Sequence, residues 1–501
     1  MATKVLPPKL LKNLFSAASA ARYVNSSATS SSSVAAISQL TLGEKPEVPI
    51  LENPPTITTP TVQDHPDILD LKDHQKLFST VPTKKLLHAA LTLHMSAFGP
   101  MVDLGTWVMN SRAMDVEITR EAMLKVIRHT FYEHFCAGED NLEVEKCVRR
   151  ANDAGLRAML DYAVEFTDDN ETCDHNLENF IQSIQTAASL PPSSVSAVVV
   201  KITALCPLNL LERVSDLLRW QQKDPSFNLP WKHDSLPIFA ESSPLYHTLT
   251  KPEPLTPEEE KYLQLGYDRL LRLCQKSVEA NVRLVVDAEH TTVQPAIDYF
   301  TYSSAIKFNK DDNPLVYGTM QAYLKDAKER LLLATTAAQK MGIPMGIKLV
   351  RGAYMSSESK LASSLGFESP IHNSIQDTHD CYNDCASFML EKINNGSDGV
   401  ILATHNVESG RLAAKKAQDM GIEKENERFE FAQLYGMSEA LSFGLKNAGF
   451  RVSKYMPYGP VEKVVPYLLR RAEENRGLLA ASSVDRELMR KELKRRLVSA
   501  F

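Results

Sequence analysis

"VRLVVDAEH", residues 282–290, is apolar on nearly every position through Val286 and then turns abruptly ionisable at Asp287, Glu289 and His290. A strand with one wet face alternates apolar and polar residues; a continuous apolar run marks a strand covered on both faces, as in a parallel sheet packed beneath helices. The polar end is equally informative, because parallel α/β folds place their chemistry at the carboxyl ends of the strands.

The same signature recurs along the chain. "SAVVVKITAL" (196–205), "LVYGTMQAYL" (315–324), "MGIKLVRGAY" (345–354), "GVILATHN" (399–406), "FEFAQLYG" (429–436) and "FRVSKYMPYG" (450–459) are each separated from the next by a stretch of helical periodicity, and "GLRAMLDYAVE" (155–165) is a weaker eighth. Seven runs plus one predict an α/β protein built as a closed (β/α)8 barrel over residues 151–501, in preference to an open doubly wound sheet. A Pro-rich segment near 207–257, with Trp220 and Trp231, breaks the rhythm and is expected to be an insertion over the second βα connection. Upstream, "LLHAALTLHMSAF" (86–98) and "EAMLKVIRHTFYEHF" (121–135) space apolar residues at three and four, so residues 68–150 are expected to form an N-terminal helical region, with Gly99-Pro100 stopping or kinking its first helix.

Composition narrows the function. The chain has 501 residues, 43% of them hydrophobic and 24% charged, with a net charge of -6 and no basic stripe interleaved with aromatics, which argues against nucleic-acid binding. No 18-residue apolar run predicts a membrane span. Seven cysteines without a C-x-x-C pair suit a reducing interior, and Cys381 and Cys385 are expected to be packing residues. Residues 1–40 are basic, Ser-rich and free of acids, the composition of an organelle transit peptide; residues 41–67 are Pro-rich and are expected to be a linker.

The strand ends assemble a candidate pocket: Lys201, Asp287, Glu289, His290, Gln321, Tyr323, Arg351, Tyr354, Thr404, His405, Asn406 and Tyr455. Two chemistries are open. Asp287, His290 and His405 could bind a metal for a hydrolase or lyase. Against that stand five cations, Lys201, Lys348, Arg351, Arg470 and Arg471, which favour an anion such as a substrate carboxylate or a cofactor phosphate. Neither G-x-x-x-x-G-K-[ST] nor G-x-G-x-x-G is present, so any dinucleotide would be held by the barrel itself. Arg470 and Arg471, in "YLLRRAEENRG" (467–477), would on their own suit a solvated helix face.

"VVDAEH", "KLVRGAYM", "ATHN", "FEFAQLYGM" and "YMPYGPVEKVVPYLLRRAEEN", in that order, resemble the proline dehydrogenase family, and the N-terminal segment makes the chain similar to plant mitochondrial, monofunctional members. The resemblance runs from about Pro82 to Asn475. It implies FAD in the barrel mouth, oxidation of L-proline to Δ1-pyrroline-5-carboxylate by hydride transfer from proline C5 to flavin N5, electrons passed to quinone, and residence in the mitochondrial matrix with possible contact with the inner membrane.

Site roles follow from the same resemblance. Arg470, Arg471 and Lys201 match the clamp on the proline carboxylate; Tyr455, Tyr467 and Leu434 match residues packed on its ring, and the bulk of Tyr455 favours proline over hydroxyproline. Asp287 and Ala288 match a segment under the flavin ring, and Gln321 a side chain at its polar edge. Lys348, Val350, Arg351, Gly352, Ala353, Tyr354 and Met355 would run along the flavin and its diphosphate, and Thr404, His405, Asn406 and Glu474 would complete the cofactor contacts. The chain departs from bacterial members in having Lys348 for Arg, Arg351 for Lys and Met355 for Trp, and a lysine cannot make a bidentate fork on phosphate.

Overall fold

The computed structural model describes residues 68–98, 107, 111–477 and 479–499, with the side chains of 112, 113 and 472–482 outside that description. The expected transit peptide, linker and Gly99-Pro100 all lie outside the described residues. A single compact unit spans Ile68–Phe501.

All eight apolar runs are strands: β1 Arg157–Tyr162, β2 Val195–Val200, β3 Arg283–Val286, β4 Val316–Gln321, β5 Gly346–Val350, β6 Gly399–Ala403, β7 Phe429–Leu434 and β8 Val452–Tyr458. They pair in parallel and in sequence order, and β1 against β8 closes the barrel through a register that runs from Arg157 opposite Ser453 to Tyr162 opposite Tyr458. Closure leaves no sheet edge exposed.

Alternation along the strands fills the barrel in layers. Met159, Ala197, Val199, Val285, Tyr317, Ile401 and Ala432 form an apolar plug across its middle. Below, Glu430 receives Arg157 at 3.0 Å and faces Arg283 at 3.6 Å, while Ser453 joins Glu430 to Ser196. Above it lies the ionisable layer described in the next subsection.

Local signals set the helices outside the barrel. Asp140 and Asp169 accept backbone N–H groups at the starts of Asn141–Asp153 and Asn170–Ser189, and Thr256 makes a capping box ahead of Pro257–Ala280. The Pro-rich segment after β2 opens with a regular helix, Leu208–Lys223, before turning irregular as far as Thr256. The amphipathic spacing of "LNLLERVSDLLRW" explains that helix, which packs on Gln294–Phe308, whereas Pro257–Ala280 packs against Asn170–Ser189, Gln294–Phe308 and β3 in the position of the crossover between β2 and β3. Upstream, the described helices include Thr83–Ala97, Glu117–Ile127 and Asn141–Asp153. The chain between them is tied to the barrel top: Tyr132 donates to Gly459 O at 2.7 Å, and Ala137 N–H to Pro457 O at 2.8 Å. The β8 end is thereby fixed at the point where Val461–Gly477, the helix of Arg470 and Arg471, departs.

Candidate active site

Three strands and two strand tips converge on one buried network. Asp161 ends β1, Lys201 and Asp287 follow β2 and β3, Lys348 points inward from β5, and Tyr455 from β8. Lys201 Nζ donates to Asp161 at 3.0 Å, Asp287 at 3.1 Å and the Tyr455 hydroxyl at 3.2 Å. Tyr455 donates in turn to Asp287 at 2.7 Å, and Lys348 pairs with the other oxygen of the same carboxylate. Two carboxylates and two ammonium groups balance, which makes the burial of four charges tolerable.

The protonation states follow from these partners. Burial would raise the Asp287 carboxyl, but Lys348 and Lys201 hold it below its ordinary range. Burial works against the Lys201 ammonium, yet Asp161, Asp287 and Glu165 raise it well above its usual value. The Tyr455 phenol is pushed up by burial and by Asp161 and Asp287, so it is a neutral donor. Asp161 is raised by burial despite Lys201, with Asp287 adding to the effect.

Nearer the mouth, Arg470 makes a fork on Glu165, at 2.6 and 3.1 Å. Burial would raise the Glu165 carboxyl, but Arg470 and Lys201 hold it low. Arg471, only 6% exposed, folds back over the Tyr467 ring at 4.9 Å. The two guanidinium groups therefore have different partners, as suits neighbours about 100° apart on a helix. Leu434 stands opposite Tyr455 in the β7–β8 register. The Glu474 side chain lies outside the described residues.

Glu289 is fully buried with the Thr203 hydroxyl at 2.8 and 3.0 Å from its two oxygens. Burial and nearby Glu165 raise its carboxyl to about 8, so it is protonated at neutral pH. Gln321 donates to the Glu289 carbonyl at 3.0 Å, which fixes the chain beside Ala288.

A second cluster lies beyond β5. Alternation sends Lys348 and Val350 into the barrel and Arg351 away from it, so Lys348 is committed to Asp287 and does not stand beside Arg351. Arg351 is held by His379 Nδ1 at 3.0 Å, Thr404 Oγ1 at 2.8 Å and Ser409 Oγ at 2.7 Å, and its guanidinium lies 4.3 Å from the Tyr382 ring centroid. Among the described residues no carboxylate neutralises it. A cation desolvated by its surroundings and met only by neutral acceptors is suited to an anionic group, and the donor set fits a cofactor phosphate. Gly352 beside it has φ +138, and a Cβ there would meet the Tyr323 ring at 2.4 Å, so only glycine lets the chain pass. Ala353 and Met355 are exposed. Tyr354 packs on His290 with ring centroids 4.2 Å apart.

The metal alternative finds no support. Asp287 is taken by two lysines and Tyr455, His290 lies against Tyr354 and 3.7 Å from Glu358, and His405 Nε2 accepts the Leu434 N–H at 3.1 Å. Burial, with Lys454 and Arg471, lowers His405 to about 3, in keeping with a neutral acceptor. Among the described residues no group of three or more His, Cys, Asp or Glu side chains could hold a metal ion.

Three residues here escaped sequence reasoning. Asp161 was legible in principle, since Arg157, Met159 and Asp161 alternate inward on β1, the weakest of the eight strand signals. Glu165 follows that strand in "AVEF" with nothing local to mark it. His379 sits inside the helix Ile375–Asn395 and carries no sequence signal.

Comparison with known proteins places this geometry. A model described as Proline dehydrogenase matches residues 144–484. Two Arabidopsis thaliana proteins, Proline dehydrogenase 1 and Proline dehydrogenase 2, both mitochondrial, are 58% and 57% identical to the chain, covering 92% and 89% of it and 92% and 95% of themselves. Human Hydroxyproline dehydrogenase is 33% identical over 83% of the chain and 91% of its own length. Among solved structures, proline utilization A from Bdellovibrio bacteriovorus, inactivated by N-propargylglycine, superposes with a TM-score of 0.58 at 21% identity. That match covers 83% of this chain and 40% of the bacterial one, and it establishes a shared fold.

Proposed function

The chain belongs to the proline dehydrogenase family and is an oxidoreductase of that class; on that footing we propose that it oxidises L-proline to Δ1-pyrroline-5-carboxylate with FAD, passing the electrons to quinone. It is mitochondrial, in keeping with the names of its plant relatives and with the basic, acid-free composition of residues 1–40. Within the mitochondrion we assign it to the matrix, in peripheral contact with the inner membrane.

When bound, FAD supplies the acceptor for the hydride that leaves proline C5. The chain's own task is position, because a small ring delivers its hydride only when the reacting atoms are held about 3 to 3.5 Å apart and aligned. Lys201, Arg470 and Arg471 take the substrate carboxylate. Glu165 already orders Arg470, so less side-chain freedom is lost when the carboxylate arrives. Asp161 and Asp287 hold the Lys201 ammonium in place, and Asp287 turns the Tyr455 hydroxyl away from the ring's position. Tyr455, Tyr467 and Leu434 then present apolar surface to the proline ring.

Arg351, Thr404 and Asn406 face the anionic part of the cofactor, and Ala288, Gln321, Val350, Gly352, Ala353, Tyr354, Met355, His405 and Glu474 complete its surroundings. Lys348 is paired with Asp287 and would act on a bound flavin through its charge, without meeting a phosphate. Relatives divide between proline and hydroxyproline as named substrates. The higher identity to the Arabidopsis proline dehydrogenases, 58% and 57% against 33% for human Hydroxyproline dehydrogenase, and the bulk of Tyr455 favour proline.

The observation that carries the proposal is the balanced network of Lys201, Lys348, Asp161 and Asp287 with Tyr455, next to the Arg470–Glu165 pair. A carboxylate clamp makes the carboxylate indispensable, so L-proline should be oxidised and pyrrolidine, the same ring without it, should not. Comparable kcat/KM for the two would remove the clamp.

A further inference from the structure

His379 is assigned no role by family resemblance, yet its contacts are restrictive. Its Nδ1 lies 3.0 Å from Arg351 Nε, an obligate donor, so Nδ1 is the bare acceptor and a neutral ring must carry its proton on Nε2. Burial and the neighbouring Arg351 lower its pKa, which keeps the ring neutral. Nε2 stands 3.3 Å from Asn406 Nδ2. The Asn406 amide is oriented in turn, because its oxygen caps the helix Val407–Asp419 by accepting the Ser409 N–H at 2.9 Å. Its NH2 group therefore faces the imidazole N–H, donor against donor.

Such an arrangement is stable only if an acceptor lies between or across the two donors. It stands next to an Arg351 guanidinium without a carboxylate, at the start of a 13-residue helix whose first amides also seek acceptors. We propose that His379, through Nε2–H, and Asn406, through Nδ2, form with Arg351 a hydrogen-bonding seat for the diphosphate of the flavin nucleotide. This rests on the flavin reading of the site and adds to it a donor that the sequence does not reveal. Ser409 and Thr404 are positioning residues, steering the guanidinium toward the same seat.

The test uses flavin-free protein titrated with FAD and, separately, with riboflavin, which lacks phosphate, following flavin fluorescence. His379→Leu should weaken FAD binding by about tenfold, the loss expected for a hydrogen bond to a charged group, and leave riboflavin unchanged. His379→Gln, whose amide can both accept from Arg351 and donate onward, should recover most of the FAD affinity. Inorganic pyrophosphate should compete with FAD in the wild type and less well in His379→Leu; inorganic phosphate competing equally in both would assign the seat to a free anion and overturn the proposal. Equal FAD affinity in wild type and His379→Leu, or equal weakening of FAD and riboflavin, would also overturn it. Failure of the wild type to bind FAD at all would strike the flavin reading itself, a different result.

Discussion

The two ends of the barrel each bury charge, and they do so differently. The lower end holds one carboxylate, Glu430, between two arginines, and the apolar plug seals it from the pocket above. The upper end holds two carboxylates, two lysines and a phenol, linked so that Lys201 touches three partners and Asp287 three donors. Guanidinium groups from two strands, each with one contact to Glu430 and others to backbone carbonyls, suit a fixed closure. Compact ammonium groups on long stems suit a surface that must accept and release a carboxylate. Burying charge is thus common to both ends; the lower end pairs it within the wall, and the upper end sets it next to the Arg470–Glu165 pair.

The contrast makes separable predictions. Glu430→Ala leaves two half-buried arginines without their shared carboxylate, though still bonded to backbone carbonyls, and should cost about 1.5 to 3 kcal/mol in a denaturant melt while KM for proline stays unchanged. A matching rise in KM would mean that the two ends communicate. Arg470→Ala and Arg471→Ala should behave in the opposite way, raising KM for proline about ten- to hundredfold each with FAD content near wild type; Arg470→Ala should also lower the melting temperature, because it strips Glu165 of its fork. Tyr455→Phe removes one hydrogen bond to Asp287 and should shift KM by only about fivefold.

The smallest change at pH 5 should come from Glu289→Gln, which exchanges one neutral group for another. Folding holds this carboxyl at about 8 against an ordinary 4.5. Between those values the unfolded chain releases a proton that the folded protein keeps, so this group's contribution to stability falls as pH rises. Melts from pH 5 to 8 should show that slope in the wild type and a flatter one in Glu289→Gln. Parallel curves would mean that Glu289 is ionised.

Much of this was legible in the sequence, and the limits have physical causes. Continuous apolar runs located every strand because burial on both faces leaves no room for polar alternation. Their ionisable tips located Lys201, Asp287 and Tyr455, since alternation and strand ends are local properties. The ionic partners were not legible: Asp161 lies 40 residues from Lys201, and Glu165 lies 305 residues from Arg470. Long-range pairing is decided by barrel closure, which no local window contains. The same closure pairs Lys348 with Asp287, a partner 61 residues away that charge alone did not single out.

One experiment bears on the whole account: the visible spectrum of the purified, FAD-loaded protein before and after anaerobic addition of L-proline. The flavin band should bleach with L-proline, and in Arg470→Ala or Arg471→Ala only at much higher proline concentration. A protein that takes up FAD and keeps its colour at saturating L-proline would contradict the assignment of the upper barrel as a proline-oxidising site.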